Sequence, residues 1–269
     1  MLFRSDGRST TEVVCVDGEW GARLVTPHTI TVASQADADW TASGLRTSVT
    51  GEQSFVVHGP DRLEIPVRLP MAGSFNVANA VVAAACLSAV GVSAEAIATG
   101  LSTVEVPGRM ERVAVGQDFT AVVDYSHKPE AVALALDAMR ARTDGRVIVV
   151  LGCGGDRDAA KRPLMGAAAA RRSDLLIVTD DNPRSEDPAA IRAAMLAGAE
   201  EVPAGQRGEV IDIGDRRAAI RAAVERAEPG DVVVIAGKGH ETGQEVAGVV
   251  HPFSDRDELR AALRRRLGR

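Results

Sequence analysis

Aromatic side chains make up only 3% of the 269 residues, and cysteine occurs three times, at Cys15, Cys86 and Cys153. A chain so poor in rings must build its core from aliphatic side chains, and Ala and Val fill that place. An odd number of cysteines with no C-x-x-C pair excludes a zinc ribbon and a disulfide framework, and fits a reducing cytoplasm. Excess positive charge is also missing. The formal net charge is -6, and only the closing RAALRRRLGR is strongly basic, which excludes a phosphate-binding stripe for nucleic acid and reads as a solvated helix face. No cationic start followed by an apolar core opens the sequence, so a secretory signal is not indicated. The longest apolar stretch, VANAVVAAACLSAVGV, carries Asn79 and is too short to span a bilayer comfortably. A soluble, cytoplasmic protein with no membrane or nucleic-acid partner is expected.

What is present reads as two domains, the usual division for a chain of this length. The first hundred residues hold short strand-like runs, EVVCVD, HTITVA, SFVVHG and LEIPVRL, then a helical block from Asn76 to Val90 and a second helix capped by Ser93. At VPGRME the pattern changes. From there strands such as RVIVVLG, DLLIVTDD and DVVVIAG alternate with helices to the end. Unbroken Val/Ile/Leu strands are buried on both faces, the mark of a parallel sheet between helix layers. The fold class expected is α/β, with a doubly wound, mostly parallel sheet over residues 107–269 and a separate domain over 1–106.

Ligands of such sheets gather at the carboxyl ends of the strands. Four polar clusters fall there: DYSHKPE, GCGGDRD, DDNPRSE and GKGHE. A turn needs only Gly, Asn or Pro, so the Asp, Arg, Lys, His and Glu residues in these loops point to a binding site. Neither glycine-rich loop is a nucleotide fingerprint. Gly152 and Gly154 are followed by Arg157 where a third glycine belongs, GKGHE is not a phosphate loop, and no G-x-x-x-x-G-K-[ST] occurs. A nicotinamide oxidoreductase is thereby disfavoured.

The charges at the loops are mixed in sign: Arg157, Asp158, Asp181, Arg184 and Glu241, with the amide of Asn182. Mixed charge suits a zwitterion, whose carboxylate a guanidinium grips through parallel hydrogen bonds and whose ammonium needs a carboxylate. Bland readings stand beside this one. Arg157 pairs with Asp158, Glu241 starts a helix, and DYSH either contacts a nucleotide or caps the helix that begins at Pro129. Cys153 reads as a small buried hydrophobe.

Taken in order, SFNVANAVVAAA, VPGRMERV, VVDYSHKPEAV, GCGGDRDAAKRPLMG, VTDDNPRSEDP and AGKGHE resemble the Mur ligase family, in its diaminopimelate-adding branch. The resemblance implies a Rossmann-like C-terminal domain from residue 107, preceded by the truncated end of a central ATPase domain. MLFRSDGRS looks like the stretch beyond a carbamylated lysine of that domain. The activity implied is ATP-dependent amide formation in peptidoglycan synthesis, joining meso-diaminopimelate to UDP-N-acetylmuramoyl-L-alanyl-D-glutamate through an acyl phosphate. ATP and Mg2+ are the implied cofactors, their main ligands lying outside this sequence, and a missing N-terminal half is an implied partner. Arg157, Asp181, Asn182, Pro183, Arg184, Gly237 and Glu241 correspond to the amino-acid pocket. Asn76, Arg109, Tyr125 and His127 correspond to nucleotide-facing positions, and no metal ligand is assigned. The loop departs from the family pattern at Ser126 and Lys128. The competing expectation is a non-catalytic amino-acid-binding module derived from such a ligase.

Without a residue run to cradle a triphosphate, the isolated chain is expected to release no phosphate from ATP when all three substrates are supplied. A steady-state phosphate assay checks this, and clear turnover contradicts it.

Overall fold

The structure, a computed structural model, describes residues 11–48 and 52–269. The motif MLFRSDGRS lies outside the described residues. The chain divides into two compact units, Met1–Glu105 and Val106–Arg269.

In the first unit β1 (Glu12–Cys15), α1 (Glu19–Ala22), β2 (Thr29–Val32), β3 (Thr41–Thr47), β4 (Gln53–Gly59) and β5 (Leu63–Leu69) precede α2 (Ser74–Ala89) and α3 (Ala94–Thr103). Strands β3, β4 and β5 form an antiparallel sheet in that order, and β1 pairs with β2 in parallel. LEIPVRL alternates strictly, with Ile65, Val67 and Leu69 inward and Glu64, Pro66 and Arg68 outward. Because β5 is an edge strand, Pro66 withholds no donor that an inner neighbour requires. Helix α2 buries Val77, Ala80, Val81, Ala84 and Ala85, the spacing of one helical face, in a core with Trp40, Phe55 and Ile97. Ser93 caps α3 by accepting from the Ala96 N–H at 3.3 Å. Strand β3 is absent from the sequence reading. Its TASGLRT carries Gly44 in the left-handed region, is interrupted by a register shift between Ser43 and Arg46, and is mostly exposed, so it has no apolar alternation to read.

The second unit contains β6 (Glu111–Arg112), β7 (Thr120–Asp124), α4 (Pro129–Arg140), β8 (Val147–Leu151), α5 (Lys161–Ala170), β9 (Leu175–Val178), α6 (Pro188–Glu200), β10 (Glu209–Asp212), α7 (Arg216–Arg226), β11 (Val232–Ala236), β12 (Gly243–Val246), β13 (Val249–Pro252) and α8 (Asp255–Arg266). Its sheet runs β10-β9-β8-β11-β7-β6, parallel throughout except for the short β6. Every residue of β8, β9 and β11 is buried, as uninterrupted aliphatic strands require when helices cover both faces. The chain steps outward from β8 through β9 to β10, then returns to insert β11 between β8 and β7. That reversal opens a crevice at the carboxyl ends of β7, β8 and β11, where this topology places ligands.

Helices α5 and α6 approach backbone to backbone through two glycines. A Cβ on Gly166 would sit 1.9 Å from the Met195 carbonyl oxygen, and one on Gly198 would sit 2.0 Å from that of Pro163. Neither helix can accept a methyl there without moving, and α5 and α6 flank the two loops that carry DRD and DNPR. Gly198→Ala is expected to destabilise the second unit by about 2–3 kcal/mol. Urea unfolding followed by far-UV circular dichroism measures it, since both tryptophans, Trp20 and Trp40, lie in the first unit.

Candidate functional site

The segments that follow four strands of the second unit line a cavity of about 660 Å³. Tyr125, His127, Lys128 and Glu130 come from beyond β7; Gly152, Gly154, Arg157, Asp158 and Lys161 from beyond β8. Asp181, Asn182 and Arg184 follow β9, and Gly237 and Glu241 follow β11. Four basic side chains (Lys128, Arg157, Lys161, Arg184) face four acidic ones (Glu130, Asp158, Asp181, Glu241), so the lining is nearly neutral in sum and strongly polar in pattern.

The stretch TDDNPRSEDP has far more charge than a turn needs because most of its polar side chains have partners of their own. Asp180 pairs with Arg192, and Glu186 binds the buried Arg162 with two hydrogen bonds of 2.8 Å. Ser185 donates to Asp156 at 2.7 Å, and Asp187 caps α6 ahead of Pro188. Arg184 holds a left-handed backbone at φ 53°. Its guanidinium contacts Glu245 at 3.2 Å and donates to the Gly155 carbonyl at 2.8 Å, which leaves further N–H groups for the cavity. The glycines of GCGG make this approach possible. A Cβ on Gly155 would lie 2.0 Å from the Pro183 carbonyl oxygen.

Asn182 turns inward. Its Oδ1 accepts from Lys238 Nζ at 2.9 Å and from the Glu245 N–H at 2.9 Å, while its Nδ2 donates to Glu241 Oε2 at 2.8 Å. Lys238 is fully buried and reaches Glu241 Oε2 at 3.1 Å. Burial pushes the Glu241 carboxyl up, but the Asn182 hydrogen bond and the Lys238 ammonium more than offset it and hold the group below its ordinary value. A second buried pair supports the same loop ends. Arg216, at the start of α7, binds Asp255, at the start of α8, with two bonds of 2.7 Å, and donates to the carbonyl of Ala236 at 2.8 Å. Burial lowers the Arg216 guanidinium's affinity for its proton, and the neighbouring Asp255 carboxylate more than reverses this.

The hairpin β12–β13 is a further addition to the sequence reading. Its turn, Ala247-Gly248, has φ of 50° and 77°, which suits a two-residue hairpin. It is stitched to the loop after β9: the Arg184 N–H donates to the Glu245 carbonyl, the Ala247 N–H to the Arg184 carbonyl, and Gln244 Nε2 to the Asp181 carbonyl at 2.8 Å.

The remaining residues singled out from the sequence are placed as follows. Arg157 is exposed at the cavity rim and has no carboxylate partner among the described residues; Asp158 instead accepts from the Ala160 N–H. Pro183 is not part of the lining. The Arg109 guanidinium lies 4.4 Å above the Tyr125 ring, which meets the His127 ring at 4.7 Å and that of His240 at 5.2 Å. Asn76 lies in the first unit, where its Nδ2 donates to the Ala72 carbonyl at the start of α2. Cys153 is buried against Met165, and burial pushes its thiol up to about 12. Among the described residues no group of three His, Cys, Asp or Glu side chains could hold a metal ion. No helix among them is long and apolar enough to cross a membrane.

Residues 108–239 match the family model described as Mur ligase, glutamate ligase domain. The chain is 52% identical to the UDP-N-acetylmuramoyl-L-alanyl-D-glutamate–2,6-diaminopimelate ligase of Corynebacterium glutamicum, over 99% of its own length and 53% of the relative's. It is 51% identical to the ligase of the same name from Streptomyces coelicolor, over 97% and 53%. A solved structure of a ligase so named superposes with a TM-score of 0.60 at 32% identity, covering 96% of this chain and 54% of that one. The UDP-N-acetylmuramate-alanine ligase of Thermotoga maritima shares the fold, with a TM-score of 0.67 at 14% identity, covering 95% and 51%. The chain thus spans about half the length of the curated relatives it matches.

Glu241 has a depressed folded-state pKa, so its stabilising contribution is present at neutral pH and lost as pH falls through that value. Protonation leaves Lys238 without its counterion, the state that Glu241→Gln imposes at every pH. The variant is therefore expected to be less stable than wild type at pH 7, with the deficit closing on acidification. Urea midpoints measured down to pH 3.5 or so decide it, and a constant gap contradicts it.

Proposed function

The chain belongs to the Mur ligase family, and from that premise we propose that its second unit is the acceptor-amino-acid domain of a ligase joining meso-diaminopimelate to UDP-N-acetylmuramoyl-L-alanyl-D-glutamate. The observation that carries the reading is one cavity lined by Arg184, Arg157 and Glu241, in which the guanidiniums keep donors and the carboxylate an acceptor still free. Each end of meso-diaminopimelate bears a carboxylate and an ammonium. A guanidinium grips the first through parallel N–H bonds, and the carboxylate of Glu241 takes the second. The volume is in the range of small-molecule sites.

In amide formation the acceptor amine has to be held beside an activated carbonyl, and fixing it converts an encounter into a near-unimolecular step. Arg184 and Arg157 orient the far end of the amino acid, Glu241 anchors an ammonium, and the attacking amine projects towards the cavity mouth. Lysine lacks the second carboxylate, so binding it forgoes the parallel hydrogen bonds that group would receive from a guanidinium. The first unit is read as the end of the central nucleotide-binding domain, with Asn76 at a base-facing position. Arg109, Tyr125 and His127 form a stacked cationic and aromatic surface that suits a nucleotide. ATP and Mg2+ would supply the activation of the D-glutamyl carboxylate. The described residues do not fit either group by themselves, because they include neither a G-x-x-x-x-G-K-[ST] run nor a carboxylate cluster for the metal.

Isothermal titration of the chain is expected to give saturable binding of meso-diaminopimelate and at least about tenfold weaker binding of L-lysine. Arg184→Ala should abolish most of the difference by weakening only the former. Equal affinities for the two amino acids contradict the assignment.

A further inference from the structure

Lys238 is the group in this site that neither the amino-acid reading nor the loop's turn geometry requires. Its side chain is fully buried, although lysine is among the residues least often found so. Gly237 and Gly239 already supply the left-handed backbone of the GKGHE loop, and a methionine would fill the same space without removing an ammonium from water. The ammonium instead ends on two side chains that both line the cavity, Asn182 at 2.9 Å and Glu241 at 3.1 Å.

The consequence falls on Glu241. Oε2 accepts from both Lys238 and Asn182, while Oε1 has no partner among the described residues. Asn182 cannot flip its amide, because Oδ1 also receives the Glu245 N–H and Nδ2 must face a carboxylate. Lys238 thereby joins the Glu245 N–H in holding the Asn182 amide, and together with that amide it holds Oε2 of Glu241, leaving the other carboxylate oxygen to meet a ligand.

Resting on the amino-acid reading above, we propose that Lys238 is a positioning residue for acceptor specificity. Its buried ammonium locks Asn182 and Glu241 so that the carboxylate stays ionised and presents a single oxygen to the ammonium of the amino acid. The charged and titratable groups around Glu241 are Lys238 and His240 on its own loop, Asp181 and Arg184 from the loop after β9, Arg216 from α7, and, lining the same cavity, His127, Lys128 and Glu130 beyond β7 and Arg157, Asp158 and Lys161 beyond β8. Of these, Lys238 alone contacts both Glu241 and Asn182.

The test is titration of meso-diaminopimelate into wild type, Lys238→Gln, Glu241→Gln and the double variant, between roughly pH 7 and pH 4. Lys238→Gln is expected to weaken binding at neutral pH by at least about tenfold and to move the acid limb of the profile upward. In the Glu241→Gln background the same substitution should add less than about twofold, because the carboxylate it serves is gone. Wild-type affinity in Lys238→Gln, an unmoved acid limb, or losses that multiply in the double variant overturn the proposal while leaving the amino-acid reading intact. Failure of wild type to bind overturns both. If Lys238→Gln lacks a cooperative thermal transition, carbon-13 NMR of the Glu241 carboxyl in wild type decides: a midpoint below that of free glutamate supports the proposal, and one at or above it overturns it.

Discussion

The site depends on one buried ammonium. Lys238 is buried beneath two cavity-lining side chains, Asn182 from the loop after β9 and Glu241 from the loop after β11, and its two bonds tie them together. An ammonium removed from water is tolerable only when its partners are fixed and complete. Asn182 is fixed by Glu245, Glu245 meets Arg184, and Arg184 reaches back to Gly155. The chain of contacts runs from one strand end to the next and ties together the loops that, with the first turns of α4 and α5, line the pocket.

The fold makes such convergence possible. Insertion of β11 between β8 and β7 brings GKGHE, from near the end of the unit, between loops that precede it by many residues. The Arg216–Asp255 pair holds that insertion in place, since its guanidinium also binds the last carbonyl of β11. On the other flank, the paired glycines 166 and 198 draw α5 and α6 together, which seats the DRD and DNPR loops against each other. Aliphatic strands, small helix residues and a few buried ions therefore do what the scarce aromatics do not.

Much of this was legible in the sequence because it is local. Strands buried on both faces are written as apolar runs, and the loops between them stood out because their charge exceeds what turning requires. Ser93, Pro129 and Pro188 mark helix starts in the same local way. The pairings were not legible. Arg216 and Asp255 are far apart in the chain, and nothing near either residue names the other. Lys238 read as a failed phosphate loop because its meaning lies in Asn182, on another strand. Asn182 does line the cavity, and its amide is held there by Lys238 and Glu241, partners that nothing near it in the sequence names. The hairpin after GKGHE and the exposed strand β3 lack a clear apolar alternation and were missed for that reason. For Arg157, where two readings stood open, the exposed guanidinium has no bond to Asp158.

On the proposed function, opposite charges at neighbouring strand tips clasp one doubly zwitterionic molecule. Diffraction from crystals of the chain grown with meso-diaminopimelate tests it most directly. The account predicts density in the cavity, a carboxylate within hydrogen-bonding distance of Arg184 or Arg157, an ammonium on Glu241, and Lys238 still on Asn182. Density outside the cavity, or a ligand whose ammonium faces the arginines, would contradict it.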